Sequence, residues 1–576
     1  MHGPTASSDR EGVCGRLIRF GATLLALVGH VVLALLITAQ QLWQVASRYP
    51  QALVRVWLPR PLPGSIDVTH AGHFENVTKN QFARPATIRS ITEGEQIARV
   101  IREAEAATPP RRVHAVGSGH SFSDAAIADD VLLELKDWNT LLPLDALSLR
   151  SGVDRGQLVR AASGISIRAL NQALKRLGLA LPNMGGYDGQ TLAGAISTGT
   201  HGSGRTLGPL SDMVRSLDLI TEGGRALRIE PCGGPSEPCS HATLCPDIEL
   251  HQDDALFHSV VVSMGCMGVV HSYVLEVCPE YYLGEHREVL EWQEVRRKLV
   301  QQEFQPTLHS LRDKPIRHFE FLVSPYERRG KRQCLVTYRW PEKEAAKTRP
   351  DRTRAFVATL FTSIREFDEI YALALTVWPR LSTWVIEREI QSLSDGLYVD
   401  ESFRVLHLGD ANYVPAYGSE LAFALNEPDP ATGLPQYVAA LERLFQLARE
   451  QASRGRYHNV PVSVRFVAES PHLLSLSHGR ASAIVELPML ARVPGGWDLL
   501  RFYERVLFNE FGARAHWGQA NFSVGADRIC KSYGAAFVTW LEQHAKLCPR
   551  GTFQNSFSER MGVRALGRAI RGQSIC

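Results

Sequence analysis

The stretch Val116-Gly117-Ser118-Gly119-His120-Ser121-Phe122-Ser123 directly follows a run, 112–116, that reads as a short strand. Glycines in such a turn let successive backbone N–H groups converge on an anion, because no Cβ obstructs the approach, and a phosphate group is the natural guest. Taken alone, a glycine-rich turn is more often only a tight turn. A second chain of small residues, Gly194-Ala195-Ile196-Ser197-Thr198-Gly199-Thr200-His201-Gly202-Ser203-Gly204, lets backbone lie against a flat or phosphorylated ligand. Gly199 to Thr206 also imitates a P-loop. Arg205 stands where that loop needs lysine, however, and Gly208-Pro209 interrupts the helix it must feed, which argues against a nucleoside triphosphatase.

Further segments fall in a specific order: Leu181-Pro182-Asn183-Met184-Gly185; Ser263-Met264-Gly265-Cys266-Met267-Gly268-Val269-Val270, which leads into a strand; Val464-Arg465-Phe466; Ala515-His516-Trp517-Gly518-Gln519; and the closing Pro549-x-Gly551-x-Phe553-x-Asn555-Ser556. With these the chain resembles the vanillyl-alcohol-oxidase-type (PCMH-type) flavoproteins, and within them the sugar-1,4-lactone oxidase branch of L-gulonolactone and D-arabinono-1,4-lactone oxidases. The resemblance runs from about Phe74 to Ser556. It implies an α+β fold with a two-subdomain FAD-binding domain at 83–280 and an α+β substrate-binding cap at 281–500. A segment at 501–560 then returns to the flavin, ahead of a tail at 561–576.

The resemblance implies FAD held by Val116, Gly117, Ser118, Gly119, His120 and Ser121 of the first loop. Gly185, Thr191, Gly194, Thr198, Gly199, Thr200, His201, Gly202, Gly268 and Val269 complete that set. The histidine of G-x-G-H-S often carries a covalent flavin bond, so His120 is the candidate for attachment. Relatives lacking it bind FAD without the bond, and both modes stay open. Gly185 occupies the place where oxygen-reactive members keep glycine and a dehydrogenase member has alanine. The resemblance therefore favours an oxidase that passes electrons to O2 and releases peroxide.

Hydroxyl oxidation needs a hydride acceptor, supplied by the flavin, and a group that polarises or deprotonates the substrate. Alternation along 462–467 puts Ser463 and Arg465 on one strand face and Val462, Val464 and Phe466 on the other. Arg465 matches the family's arginine, which stabilises negative charge on the substrate oxygen or the reduced flavin. His516 belongs to the family's H-W turn. Ser463 departs from the pattern, since the lactone oxidases place glutamate there and a hydroxyl is no base near neutral pH. Gln519 stands where H-W-x-K has lysine, and Asn521 where a histidine is usual. Glu486, on the next strand amid Ile484, Val485 and Leu487, either compensates for the missing glutamate or is a paired structural acid. The expected activity is oxidation of a hydroxyl on an aldono-1,4-lactone or related sugar-derived alcohol. An alditol, another alcohol, or a weakly catalytic flavoprotein are the alternatives. A membrane-anchored sterol reductase shares the fold, but the H-W-G and N-S segments argue against it.

The 576 residues exceed what one core usually supports, and 44% hydrophobic with 21% charged residues is a globular composition. Lys+Arg 63 against Asp+Glu 60 is too balanced for a nucleic-acid partner. The ten cysteines contain no C-x-x-C pair, so no metal site is expected. Cys232, Cys239 and Cys245 read as a surface loop, disulfide-linked if it faces an oxidising compartment. Residues 1–45 read as a tail and a single-pass transmembrane anchor, because 21–44 carries no charged side chain, 20–37 is almost wholly apolar, and Trp43 and Tyr49 stand where an interfacial belt would be. A cleaved signal peptide is the competing reading. Arg16 and Arg19 precede the run and Arg48, Arg55 and Arg60 follow it, so topology and choice of membrane stay open, endoplasmic reticulum or mitochondrial in a eukaryote.

Residues 46–82, with Pro50, Pro59, Pro61 and Pro63, read as a linker, and Asn76-Val77-Thr78 as a glycosylation acceptor only on a lumenal side. Thr92 and Glu95 predict a capping box before a helix with Ile97, Val100, Ile101 and Ala104 inward. Ser166 predicts another helix start, with Leu170, Ala173, Leu174 and Leu177 inward and Gly178 as its C-cap. A hairpin is expected at 214–229 around Glu222-Gly223-Gly224, and longer strands at 318–323 and 334–340.

Overall fold

The glycine-rich loop at 117–123 leaves the end of the strand Val113–Val116, which lies parallel to Val131–Glu134 in the first of the three larger sheets among the described residues. The computed structural model describes residues 69–70, 72–145, 147–344, 368–394, 397–408 and 416–569. In the first sheet Thr69–His70, Thr87–Ser90, Val131–Glu134 and Val113–Val116 follow one another. The helix Glu95–Ala106 covers it, burying Ile97, Val100, Ile101 and Ala104 as their spacing predicts. Its start corrects the expected capping box. Gly94 is the N-cap, and Gln96 Oε1 reaches back to the N–H groups of Thr92 and Glu93 at 2.9 and 3.2 Å.

The second sheet orders Ile248–Gln252, Ala226–Glu230, Val214–Ile220, Val269–Glu276, Leu158–Ala162 and Leu141–Leu142. The expected hairpin is there, with Leu217 opposite Ile229 and Leu219 opposite Leu227. Its turn has a second use: the buried Glu222 carboxylate accepts the backbone N–H groups of Arg550 and Thr552, docking the closing P-x-G-x-F segment. The helix Ile167–Arg176 starts with Ser166 Oγ accepting from the Ala169 N–H. Leu170, Ala173 and Leu174 point inward, whereas Leu177, just past the last turn, is exposed.

The third sheet is antiparallel throughout. Its order is Tyr398–Glu401, Tyr282–Glu291, Gln333–Glu342, His318–Val323, Val462–Val467, Ser482–Leu490, Ala416–Ala424 and Arg514–Ala515. Side chains alternate between its faces. On one face Phe321, Val464 and Phe466 pack with Trp292 of the helix Trp292–Gln301 and Tyr437 of the helix Gln436–Ser453. On the other, Glu486 lies directly opposite both Ser463 and Glu420, and Leu322 and Ser463 are paired neighbours of the same rows.

The segment once comparable to a P-loop is a strut between these sheets. Ser203 Oγ donates to the Phe319 carbonyl at 2.6 Å, the Gly204 N–H to that of Phe466 at 2.6 Å, and the Ala468 N–H to that of Leu207 at 3.0 Å. That zipper fixes the strand carrying Arg465 against the glycine-rich domain.

The structure moves several expected boundaries. Within 46–82, Phe74–Glu75 pairs with Phe82–Ala83, so the end of the expected linker belongs to the folded body. Asn76 is buried there, its Nδ2 donating to Thr78 Oγ1, Asn80 Oδ1 and the Ser121 carbonyl, which leaves no exposed amide for glycosylation. The helix Gly496–Phe511 runs across the expected boundary at 500 and packs its apolar stripe on the cap strands Ala416–Ala424 and Ser482–Leu490 and on the helix Gln436–Ser453. Cys232 and Cys239 are exposed free thiols, not joined to each other. The expected anchor at 21–44 lies outside the described residues, and among those no helix is long and apolar enough to cross a membrane.

Candidate active site

A cavity of about 730 Å³ lies between the glycine-rich loops and the charged face of the third sheet, a volume typical of a cofactor pocket. Val116, Gly117, Ser118, Gly119, His120 and Ser121 line it, as do Thr191, Gly194, Thr198, Gly268 and Val269. From the other side come Ser463, Arg465, Glu486, His516 and Gln519. The sequence thus brings eleven of its sixteen expected cofactor contacts and all five expected catalytic residues to one cavity. Gly185, Gly199, Thr200, His201 and Gly202 stand outside its wall. A Cβ at Gly185 would meet the His201 carbonyl at 3.3 Å and Thr200 Cγ2 at 3.4 Å. A Cβ at Gly186 would meet Leu408 Cδ1 at 2.7 Å, with Arg465 Nη2 3.8 Å away.

Close backbone approach explains the glycines. A Cβ at Gly117 would sit 1.8 Å from Thr191 Oγ1, and Gly119 adopts φ 67°, a left-handed conformation that side chains disfavour. The loop is tied to the C-terminal turn, where the Phe122 N–H donates to the Gly518 carbonyl at 2.7 Å and Ser123 Oγ to that of Trp517 at 2.6 Å. His120 Nε2 lies 2.5 Å from Tyr187 Oη, while its Nδ1 is buried without a hydrogen-bond partner among the described residues. Burial lowers the His120 ring to about 4, so the imidazole is neutral at pH 7. A buried ring nitrogen with no protein partner, in a wall of bare backbone, is what a large cofactor leaves when it supplies the missing contact. These residues fit FAD.

The opposite wall is an ordered row of charge. Arg339 pairs with Glu285 and Glu320, both at 2.7 Å. Arg465 then lies 3.7 Å from Glu320, 3.6 Å from Glu486 and 4.0 Å from Glu420. Burial works against the Arg465 charge, but Glu486, Glu320 and Glu420 outweigh it and hold the proton more firmly than on a free guanidinium. Burial pushes the Glu486 carboxyl up; Arg465 pulls it down and Glu420 pushes it up again, leaving it above the usual carboxylate range. Glu420 ends below that range: burial raises it, but His201 at 3.3 Å, His516 and Arg465 together prevail. Two neighbouring carboxylates of opposite inclination are thus set apart by their surroundings.

His516 Nδ1 accepts the Gly518 N–H at 3.0 Å, so its proton sits on Nε2, and burial lowers the ring to about 4. His201, Glu420 and His516 offer atoms of the kind a divalent metal takes, all within 4.8 Å of one another. Their pairing with each other and with Arg465 already accounts for them. Gln519 Oε1 is buried and unpartnered among the described residues. Asn521 lies outside the cavity wall and braces the H-W turn instead, donating to the carbonyls of His516 and Trp517 and accepting from Arg560.

Sequence reasoning missed Glu320, Glu420 and Glu389. Each of the first two is a lone acid in an apolar strand, His318–Val323 and Ala416–Ala424, the same signal that singled out Glu486. Glu389 lines the cavity from the helix Leu381–Ser392, and burial raises its carboxyl to about 7. An acid in the charged run Glu387-Arg388-Glu389 on a helix carries no comparable signal.

Residues 85–230 match the family described as FAD binding domain, and residues 275–561 the family described as D-arabinono-1,4-lactone oxidase. An alditol oxidase from Streptomyces sp. is 33% identical over 505 residues, covering 83% of this chain and 95% of the relative. An L-gulono-1,4-lactone dehydrogenase from Mycobacterium tuberculosis is 26% identical over 466 residues, covering 79% and 91%. An L-gulonolactone oxidase from Scyliorhinus torazame is 26% identical over 506 residues, covering 84% and 97%. Among solved structures, cholesterol oxidase from B. sterolicum superposes with a TM-score of 0.60 at 12% identity over 88% of this chain and 99% of that one, a likeness of fold. With the cofactor loops, the charged sheet face and the H-W turn assembled around one cavity, the chain belongs to the sugar-lactone oxidase branch of the PCMH-type FAD-dependent oxidoreductases.

Proposed function

We propose that the chain oxidises a hydroxyl group of a neutral polyhydroxylated compound, an alditol or an aldono-1,4-lactone, and passes the electrons to O2 with release of H2O2. The observation that carries this reading is the row Ser463, Glu486 and Arg465, which faces the same cavity as the G-S-G-H-S loop. Bound FAD supplies the hydride acceptor. Glu486, directly across from Ser463, brings a carboxylate next to the position that lost one, and its raised carboxyl suits it to accept the hydroxyl proton. Arg465 cannot give up its proton and stabilises the negative charge that develops on the substrate oxygen. Gln519 offers an unpaired amide oxygen to a second hydroxyl. With Glu389 and Glu486 held above the usual carboxylate range, the titratable lining, Glu320, Glu389 and Glu486 against Arg287 and Arg465, is close to balanced and suits a neutral substrate.

His120 is the proposed attachment point for the flavin. In the tautomer that donates Nε2–H to Tyr187, the neutral ring keeps an unpaired Nδ1 lone pair for that bond. The segment 21–44 is proposed to anchor the chain in a membrane, and resistance of the full-length protein to alkaline carbonate extraction tests it. The activity is tested by mixing the purified yellow protein anaerobically with L-gulono-, L-galactono- and D-arabinono-1,4-lactone and with a series of alditols. Loss of the flavin absorbance, restored by air with formation of peroxide, is expected. A flavin that no lactone or alditol bleaches refutes the reading.

A further inference from the structure

The described helices Asp368–Val377 and Leu381–Ser392 form a hairpin that shows water an unusual side. Ala372, Leu375, Ile386 and Ile390 are buried against the body, and Val385 and Glu389 turn to the cavity. The remaining side exposes Leu373 at 64%, Val377 at 55%, Trp378 at 63% and Trp384 at 45%. Bulky apolar residues at this density on a soluble surface mark a contact site, not incidental exposure. Two further features decide the partner. Arg380 and Arg388 are the exposed charges of this side, and the Arg388 guanidinium lies over the Trp384 ring, 5.7 Å from its centroid. Past the first turn of the helix Asp368–Val377, which opens on Asp368 and Glu369, the acids are withdrawn: Glu387 is paired with Arg328, and Glu389 faces the cavity. Between 372 and 392 no acidic side chain is left to oppose an anionic surface. The sequence entering the hairpin, 345–367, is also basic, with Lys347, Arg349, Arg352, Arg354 and Arg365 against Asp351 and Glu366.

We propose that this hairpin docks on an anionic lipid bilayer, with Trp378 and Trp384 at the headgroup level, aliphatic side chains just beneath, and Arg380 and Arg388 on lipid phosphates. Tryptophan with arginine around an aliphatic stripe is the side-chain set of an interfacial helix, and electrostatic attraction adds to apolar burial there. A protein partner has no such charge requirement. Because the helix Leu381–Ser392 also supplies cavity wall, docking sets the active site beside the bilayer, whatever hydroxyl compound it takes.

The test uses the full-length protein reconstituted into phosphatidylcholine–phosphatidylserine vesicles brominated high on the acyl chain. Tryptophan emission is compared between wild type and the Trp378→Phe/Trp384→Phe variant, whose flavin absorbance reports that the fold is kept. Trp43 and Trp57 contribute equally to both. The emission difference between the two proteins, which belongs to Trp378 and Trp384, should fall at least twofold with bromolipid, and less when phosphatidylserine is omitted. An unquenched difference signal places the hairpin in water or under other protein and overturns the proposal. A signal that instead tracks the protein-to-lipid ratio identifies a second copy as the occupant and overturns it equally.

Discussion

Replacing Glu486 by glutamine separates a catalytic carboxylate from a structural one, because the two roles predict opposite balances of rate and stability. At 3.6 Å and an effective dielectric of about 20, attraction between Glu486 and Arg465 is worth ~4–5 kcal/mol before any offset. Burial and the Glu420 charge more than cancel it, since the Glu486 carboxyl rests above its ordinary range. Its ionised form is therefore a net cost to the fold near neutral pH, and Glu486→Gln should change stability by less than about 1 kcal/mol. Loss of a positioned base removes about 10²–10⁴ in rate, or roughly 3–5 kcal/mol of barrier at 1.36 kcal/mol per decade. The assay is anaerobic rapid mixing with a saturating alditol or lactone, following the flavin absorbance. Wild-type bleaching should accelerate as pH rises through the Glu486 range and then level off, and the variant should lose that rise. If Glu486→Gln bleaches within about threefold of wild type, Glu486 only pairs Arg465 and the base lies elsewhere.

Gly117→Ala places a Cβ 1.8 Å from Thr191 Oγ1, so the loop must shift; purified protein should carry at least tenfold less flavin, and a normal content would refute the close-approach argument. For Glu389 the folded carboxyl stands near 7 against 4.5 in the unfolded chain, so stability present below pH 4.5 is lost as pH rises through 7. Glu389→Gln should consequently raise the melting temperature by a few degrees at pH 8.5, from at most about 2–3 kcal/mol, and leave it unchanged at pH 4. Equal shifts at both pH values would mean packing, not charge, is responsible. Acid-precipitated wild-type protein should stay yellow, and His120→Ala should release its flavin to the supernatant; a white wild-type pellet rules out attachment at His120.

Motifs were legible where the chemistry is local. The loop at 117–123 was legible from its glycine spacing, and Gly119 needs its positive φ locally, although Gly117 is required by Thr191 from a distant stretch of chain. Helix faces at 97–104 and 170–174 were readable for the same reason, each period lying within one element. The capping box failed because Gln96, one residue beyond Glu95, accepts the Thr92 N–H that the box gives to Glu95, and the helix starts after Gly94 instead. The helix Gly496–Phe511 was divided wrongly because its burial is decided by cap strands distant in sequence.

The active-site wall was half legible, and the missing half follows from register. Ser463 read as a loss because a strand viewed alone shows only its own side chains. Once Ser463 is paired with Glu486, and Glu486 with Glu420, three strands contribute to one row, and the carboxylate absent from the first is present on its neighbours. Arg465 then requires at least one of these acids for pairing, while burial forbids all of them full charge. The arrangement resolves this by making Glu420 the ionised partner, held by His201 and His516, and leaving Glu486 the one able to take a proton. His201 therefore acts from outside the cavity, through Glu420, and the G-T-H-G-S-G segment contributes to proton placement as well as to joining the sheets. The resemblance implies a cofactor contact for that histidine, and its place 3.3 Å from Glu420 gives it a part in the charge balance of the substrate face as well.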